Sequence, residues 1–102
     1  MIETIKHVFG GGVYLKIWKI KDNACVPQHR HKFDHLTSVM SGCVMVEVEG
    51  EDNRIVYSPD AIMVRAGVTH CFTALNGDAV IGCIHATDII DPANIDMELI
   101  EP

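Results

Sequence analysis

The chain has 102 residues, 14 acidic against 8 basic side chains, a formal charge of −6 and 48% apolar residues. That is enough for one hydrophobic core and too little for two, so a single domain over residues 1–102 is expected. Scattered negative charge excludes nucleic acid and anionic membrane as main partners; no apolar run reaches the roughly 18 residues of a membrane span, and the opening Met-Ile-Glu-Thr-Ile-Lys lacks a signal-peptide pattern, so a cytoplasmic protein is expected.

Ile2 to Phe9 mixes apolar and polar residues and fits an edge strand, which Gly10-Gly11-Gly12 breaks. The Gly-x-x-x-x-Gly-Lys-[Ser/Thr] phosphate-loop pattern is absent, so these glycines are read as a turn. Val13 to Ile20 reads as a strand with Val13, Leu15 and Ile17 on one face and Tyr14, Lys16 and Trp18 on the other. Tyr14 and Trp18 are assigned to packing or subunit contacts, and Lys21-Asp22-Asn23 to a turn.

The segment from Pro27 to Gly42 holds His29, His31 and His35. Successive side chains of a strand alternate between faces, so three odd-numbered histidines project the same way, and H-x-H-x-x-x-H suits a strand better than a helix. The strand proper is expected from about Phe33 to Met40, ended by Ser41-Gly42. Cys43 to Glu49 alternates clearly, Val44, Val46 and Val48 against Cys43, Met45, Glu47 and Glu49. Gly50-Glu51-Asp52-Asn53 turns into Arg54 to Tyr57, and Ser58-Pro59-Asp60 turns again before Ala61 to Val64.

Arg65-Ala66-Gly67-Val68-Thr69 leads to His70 and the apolar run Cys71 to Leu75. Asn76-Gly77-Asp78 is the strongest hairpin signal, because Asn-Gly suits a type I′ turn, and Ala79 to Ala86 is the last clear strand. The tail from Asp88 onward fits either a short helix starting near Pro92 or an extended arm. About eight or nine short strands with turn signals every 8 to 12 residues describe an all-β sandwich or barrel. A jelly roll best brings two distant hairpin segments over one cavity. The four cysteines show no C-x-x-C pair and are read as buried thiols, with Cys71 pointing away from the face of His70.

A single histidine on a strand is ordinarily a core or surface residue. Three in odd register, with His70 after a glycine turn, point instead to a metal ion held by His29, His31, His35 and His70. His35 is either a ligand or a hydrogen-bonding neighbour of the ligands; His7 and His85 lie far from these motifs. The surrounding pocket is expected to be apolar, lined by Phe33, Phe72, Val44 and Val46 with Val39 and Ile62 or Val64, and suited to a small organic molecule. Tyr57, Arg65, Glu47 and Asp34 are the polar candidates near it, of which Asp34 and Glu47 face away by alternation.

With these motifs in place the sequence resembles the cupin family in its small single-domain form. Its first motif is matched by His29-x-His31, His35 where cupins generally keep a glutamate, and Gly42. The second is matched in part by Gly67, Val68, Thr69 and His70, with Arg65 where a proline is usual and no Asn three residues after His70. The resemblance implies a double-stranded β-helix, a jelly-roll barrel. It makes His29, His31 and His70 the imidazole ligands, and His35 in the glutamate position looks like the four-histidine subset. The implied cofactor is a divalent transition metal, with Fe, Mn, Zn, Ni and Cu all allowed by the ligands. Two functions stay open: a metal-dependent dioxygenase-type oxidoreductase acting on a small enolisable or aromatic compound, and a non-catalytic module binding a metal or small ligand. Sheet edges and an apolar outer face carrying Met40, Met45 and Cys43 suggest a homodimer.

Overall fold

The computed structural model describes residues 2–29 and 34–86, with side chains at all of these positions except 26–29 and 85. Its strands are β1 (Ile2–Gly10), β2 (Val13–Ile20), β3 (Cys25–His29), β4 (His35–Val48), β5 (Arg54–Tyr57), β6 (Asp60–Val64) and β7 (His70–Ala86). Every pairing is antiparallel. Among the described residues no helix is long and apolar enough to cross a membrane.

The two long strands, β4 with 14 residues and β7 with 17, pair along most of their length and exchange their other neighbours halfway. The first half of β4 pairs with β6 and the second with β5; the second half of β7 pairs with β2 and the first with β3. One continuous ladder therefore has a first half ordered β1-β2-β7-β4-β6 and a second ordered β3-β7-β4-β5. Ile20, Val39, Ile62, Val64 and Ile81 of the first half share a core with Val44, Val46, Val56, Phe72 and Ala74 of the second, so the halves pack face to face. The expected all-β jelly-roll architecture is the one observed.

Two expected strand ends are instead bends inside β4 and β7. Ser41 pairs with Val80 and Cys43 with Leu75, so residues 76–79 stand opposite Gly42 alone. Asn76 and Gly77 do take the positive φ values, 58° and 125°, that an Asn-Gly turn asks for. They spend them on a bulge, which kinks a strand without reversing it. The bulge is tied to the turn after β2: the Asp22 N–H donates to Asp78 Oδ1 at 2.9 Å, and the Gly77 N–H donates to Asp22 Oδ1 at 2.9 Å. Lys19 and Lys21 each bring an ammonium to 3.6 Å from Asp78 Oδ2.

The kink also switches which side chains face inward. Before Gly42 the buried residues of β4 are odd, His35, Thr37 and Val39; beyond it they include Val44 and Val46. In β2 the inward face is the even one, with Tyr14, Lys16 and Ile20 buried. The sequence assigns Tyr14 and Trp18 to packing or subunit contacts without saying which face of β2 is inward. Both faces of β2 are apolar, and its odd-numbered Leu15 lies in an apolar outer row running Val8, Leu15, Ile84, Leu36, Met63 across five strands. Alternation alone cannot orient such a strand.

Candidate metal centre

β3 ends at His29, which pairs with His70, the first residue of β7; on its other side His70 pairs with Val48 near the end of β4. His35 opens β4 opposite Val64. His29 and His35 thus lie on different strands in opposite halves, a correction to the reading that one strand's alternation aligns them. His31 and Phe33 lie outside the described residues, as does the side chain of His29.

His35 and His70 are 3% and 1% exposed, and their ring centroids stand 5.6 Å apart at 49°. Two imidazoles holding one ion through nitrogens at about 2.1 Å, with an angle of roughly 90–120° between them, have centroids about 4.6–5.6 Å apart. The observed separation is at the wide end of that range, so the pair fits a shared ion. His70 Nδ1 lies 3.0 Å from the Val68 carbonyl oxygen, which can only accept. Nδ1 therefore carries the proton, leaving the lone pair on the buried Nε2, the arrangement usual for a metal-bound histidine. Both ring nitrogens of His35 are buried too. Among the described residues no three ligand-type side chains cluster, so the described part of the centre is this pair, approached by His29 through backbone register.

The loop before His70 is fixed from the residue before His35. Asp34 Oδ1 accepts the Ala66 N–H at 2.8 Å, and Val68 N–H reaches back to the Arg65 carbonyl at 3.4 Å. Glu49 N–H donates to the Thr69 carbonyl at 2.9 Å, closing the other side of the loop. Asp34 faces away from the interior as expected, yet links the approaches to both histidines.

The inner wall around the pair is partly apolar. Phe72 meets His70 edge to face at 5.6 Å and pairs with Val46, beside Val44 and Ala74, all buried. Part of the remainder is polar, a feature the sequence does not announce. One register row of the first half runs His7, Lys16, Cys83, Thr37, Ile62, with Lys16, Cys83 and Thr37 buried. Thr37 Oγ1 and Cys83 Sγ share a 3.7 Å hydrogen bond, and burial pushes the Cys83 thiol up to about 11 despite that bond and the nearby Lys16 charge. His7 Nδ1 and the buried Tyr14 hydroxyl share a hydrogen bond of 2.6 Å. Of the polar candidates named from sequence, Tyr57 is 66% exposed, and Arg65 and Asp34 are exposed as well. Cys25 is also exposed, against the expectation of a buried thiol, while Cys43, Cys71 and Cys83 are buried. A cleft of about 450 Å³ lined by Glu47, Val48, Glu49, Asn53 and Thr69 opens at the end of β4. None of the expected pocket residues that the structure describes, Phe72, Val44, Val46, Val39, Ile62 and Val64, lines it.

No known family profile matches the sequence, and none of the curated proteins does. Solved structures match the fold. A cupin superfamily protein of Desulfitobacterium hafniense superposes with a TM-score of 0.73 at 16% identity, over 86% of this chain and 79% of that one. KdgF from a Halomonas species gives 0.69 at 22% identity, over 86% and 80%. An oxalate oxidase gives 0.67 at 18% identity, over 74% of this chain and 42% of that one. At these identities the likeness is one of fold, and the fold is that of cupins.

Proposed function

We propose that this chain is a metal-binding protein whose site is built from His29, His31, His35 and His70, and that it acts as a metal-dependent oxygenase on a small enolisable or aromatic compound. The observation that carries the reading is the buried His35–His70 pair, drawn from opposite halves of the fold to 5.6 Å, with the His70 tautomer set by Val68. Neutral imidazoles leave a divalent ion its full charge, so such an ion would polarise an enolate, carboxylate or hydroxide. The chain's own contributions are orientation and exclusion. Val68 and the Asp34–Ala66 bond hold the His70 ring; Phe72, Val44 and Val46 keep one wall dry.

Among the described residues no carboxylate is buried. A site with few general bases suits chemistry supplied by the ion better than hydrolysis. The same observation supports the second reading, a module that binds a metal and a small ligand without changing it. Oxygen uptake by the Fe(II)-loaded protein with diketones, catechols and thiols separates them: uptake with one class supports the oxygenase, and no turnover with any metal leaves the binding module.

We also propose a homodimer through the outer face of the first half. Leu36 and Met63 are 47% and 55% exposed, and Val8, Val13 and Met40 are exposed beside them. Five strands at about 4.8 Å by eight residues at about 3.3 Å give a face of roughly 600 Å², near what a standard interface takes from each partner. Sedimentation should give a dimer that Leu36→Glu with Met63→Glu converts to a monomer; a wild-type monomer contradicts it.

A further inference from the structure

β3 is an edge strand whose partner among the described strands is β7. Cys25 stands opposite Thr73, and the register slips between Val26 and His29, so that residues 27 and 28 face Cys71 alone. A bulge of this kind increases the local twist, which closes one diagonal across the ladder. Cys25 shares the face of Thr73 and hence of Cys71, the face turned away from that of His70. On a regular ladder such diagonal neighbours have Cα atoms about 7–8 Å apart, at or beyond the limit for a disulfide. Here the two thiols share a side-chain hydrogen bond, so the sulfurs already meet.

The two differ in access: Cys25 is exposed, while Cys71 is only 6% exposed. The other two thiols are enclosed and engaged elsewhere. Cys43 Sγ donates to the Leu75 carbonyl at 3.3 Å, and Cys83 is bonded to Thr37 at 4% exposure. We propose that Cys25 and Cys71 form a redox site that closes to a disulfide, with a low-molecular-weight disulfide RSSR as oxidant, and that the bond staples β3 to β7. The Cys25 thiolate attacks one sulfur of RSSR, giving a mixed disulfide and releasing RS−, which takes up a proton equivalent to the one Cys25 lost. Cys71 then attacks the Cys25 sulfur and expels the second RS−, to which its own proton passes. Two protein thiols are oxidised and one RSSR is reduced to two RSH. The staple joins the strand that ends at His29 to the strand that begins at His70. Neither the bond nor its test depends on a metal at those histidines.

The test treats the reduced full chain with oxidised glutathione, alkylates the remaining thiols under denaturing conditions and maps the peptides by mass spectrometry. Wild type should lose Cys25 and Cys71 together as one cross-linked peptide pair, with Cys43 and Cys83 recovered alkylated, and dithiothreitol should reverse the change. Because the bond closes a long loop, the linked protein should melt about 10 °C above the reduced one. Cys71→Ser should stop at a glutathione adduct on Cys25, and Cys25→Ser should form no link and show no change in melting. Absence of the cross-linked pair in excess oxidised glutathione, a link through Cys43 or Cys83 in its place, or a linked protein that melts no higher than the reduced one overturns the inference. Should Cys71→Ser not fold, the wild-type map and Cys25→Ser, a change at an exposed position, still decide it.

Discussion

A Cβ added to Gly42 would stand 2.6 Å from the carbonyl oxygen of Asp78, with backbone on the receiving side and φ at +78°. This contact is where β4 and β7 bend together, so the two halves of the fold depend on a residue without a side chain. Gly42→Ala should lose about 2–4 kcal/mol and lower the melting temperature by roughly 10 °C or more. Gly82→Ala is the control. The atoms nearest its Cβ would be the tip of Leu15, at 2.8 Å, and Met40, side-chain atoms able to shift, so it should lose under about 1.5 kcal/mol. Equal melting of the two variants would remove the bend from the account.

The clasp on the bulge carries a pH signature. The Asp22 N–H donated to its carboxylate, with Lys21 and Lys19 beside it, holds Asp78 below the ordinary value of 3.8. A carboxyl depressed in the folded state contributes stability that is fully present above 3.8 and is lost as pH falls through the lower folded value. Asp78→Asn should therefore melt below wild type at neutral pH, with the gap closing on acidification past 3.8. A gap independent of pH would show that the charge contributes nothing.

Asp34 acts through the loop it holds. Replacing it by Ala frees the Ala66 N–H and loosens the segment that positions Val68 and His70. Asp34→Ala should keep the fold, by circular dichroism, and weaken metal binding about 10- to 100-fold, the range for groups that orient a ligand. Unaltered affinity would assign Asp34 to the surface only.

How much of this was legible beforehand follows from where the information resides. Local alternation locates the strands between Val13 and Ala86 except β3, Cys25–His29, which reads only as an approach to the histidines, and the glycine before His70 marks its loop. Alternation failed at three places for three reasons. In β2 the odd residues are as apolar as the even ones, so parity separates Lys16 and Tyr14 from Leu15 without saying which face is inward; the available signal is Ile20, which shares their parity and ends the strand at 0% exposure. At Ser41-Gly42 and Asn76-Gly77 the residues were right for positive φ, but a bulge and a hairpin demand the same dihedrals, and only the partner strand distinguishes them. At the histidines, H-x-H-x-x-x-H was read as one strand. His29 ends β3 and His35 begins β4, and what joins His35 to His70 is the packing of two halves, a relation no local window contains.

Metal content of the protein purified without added metal tests the centre most directly, measured by elemental analysis on wild type, His35→Ala and His70→Ala. The expected result is close to one equivalent of a transition metal in wild type and a sharp loss in both variants with the fold retained, since a preformed site fills by mass action. Less than about half an equivalent in wild type, or full occupancy in His70→Ala, would contradict the reading of His35 and His70 as two walls of one metal site.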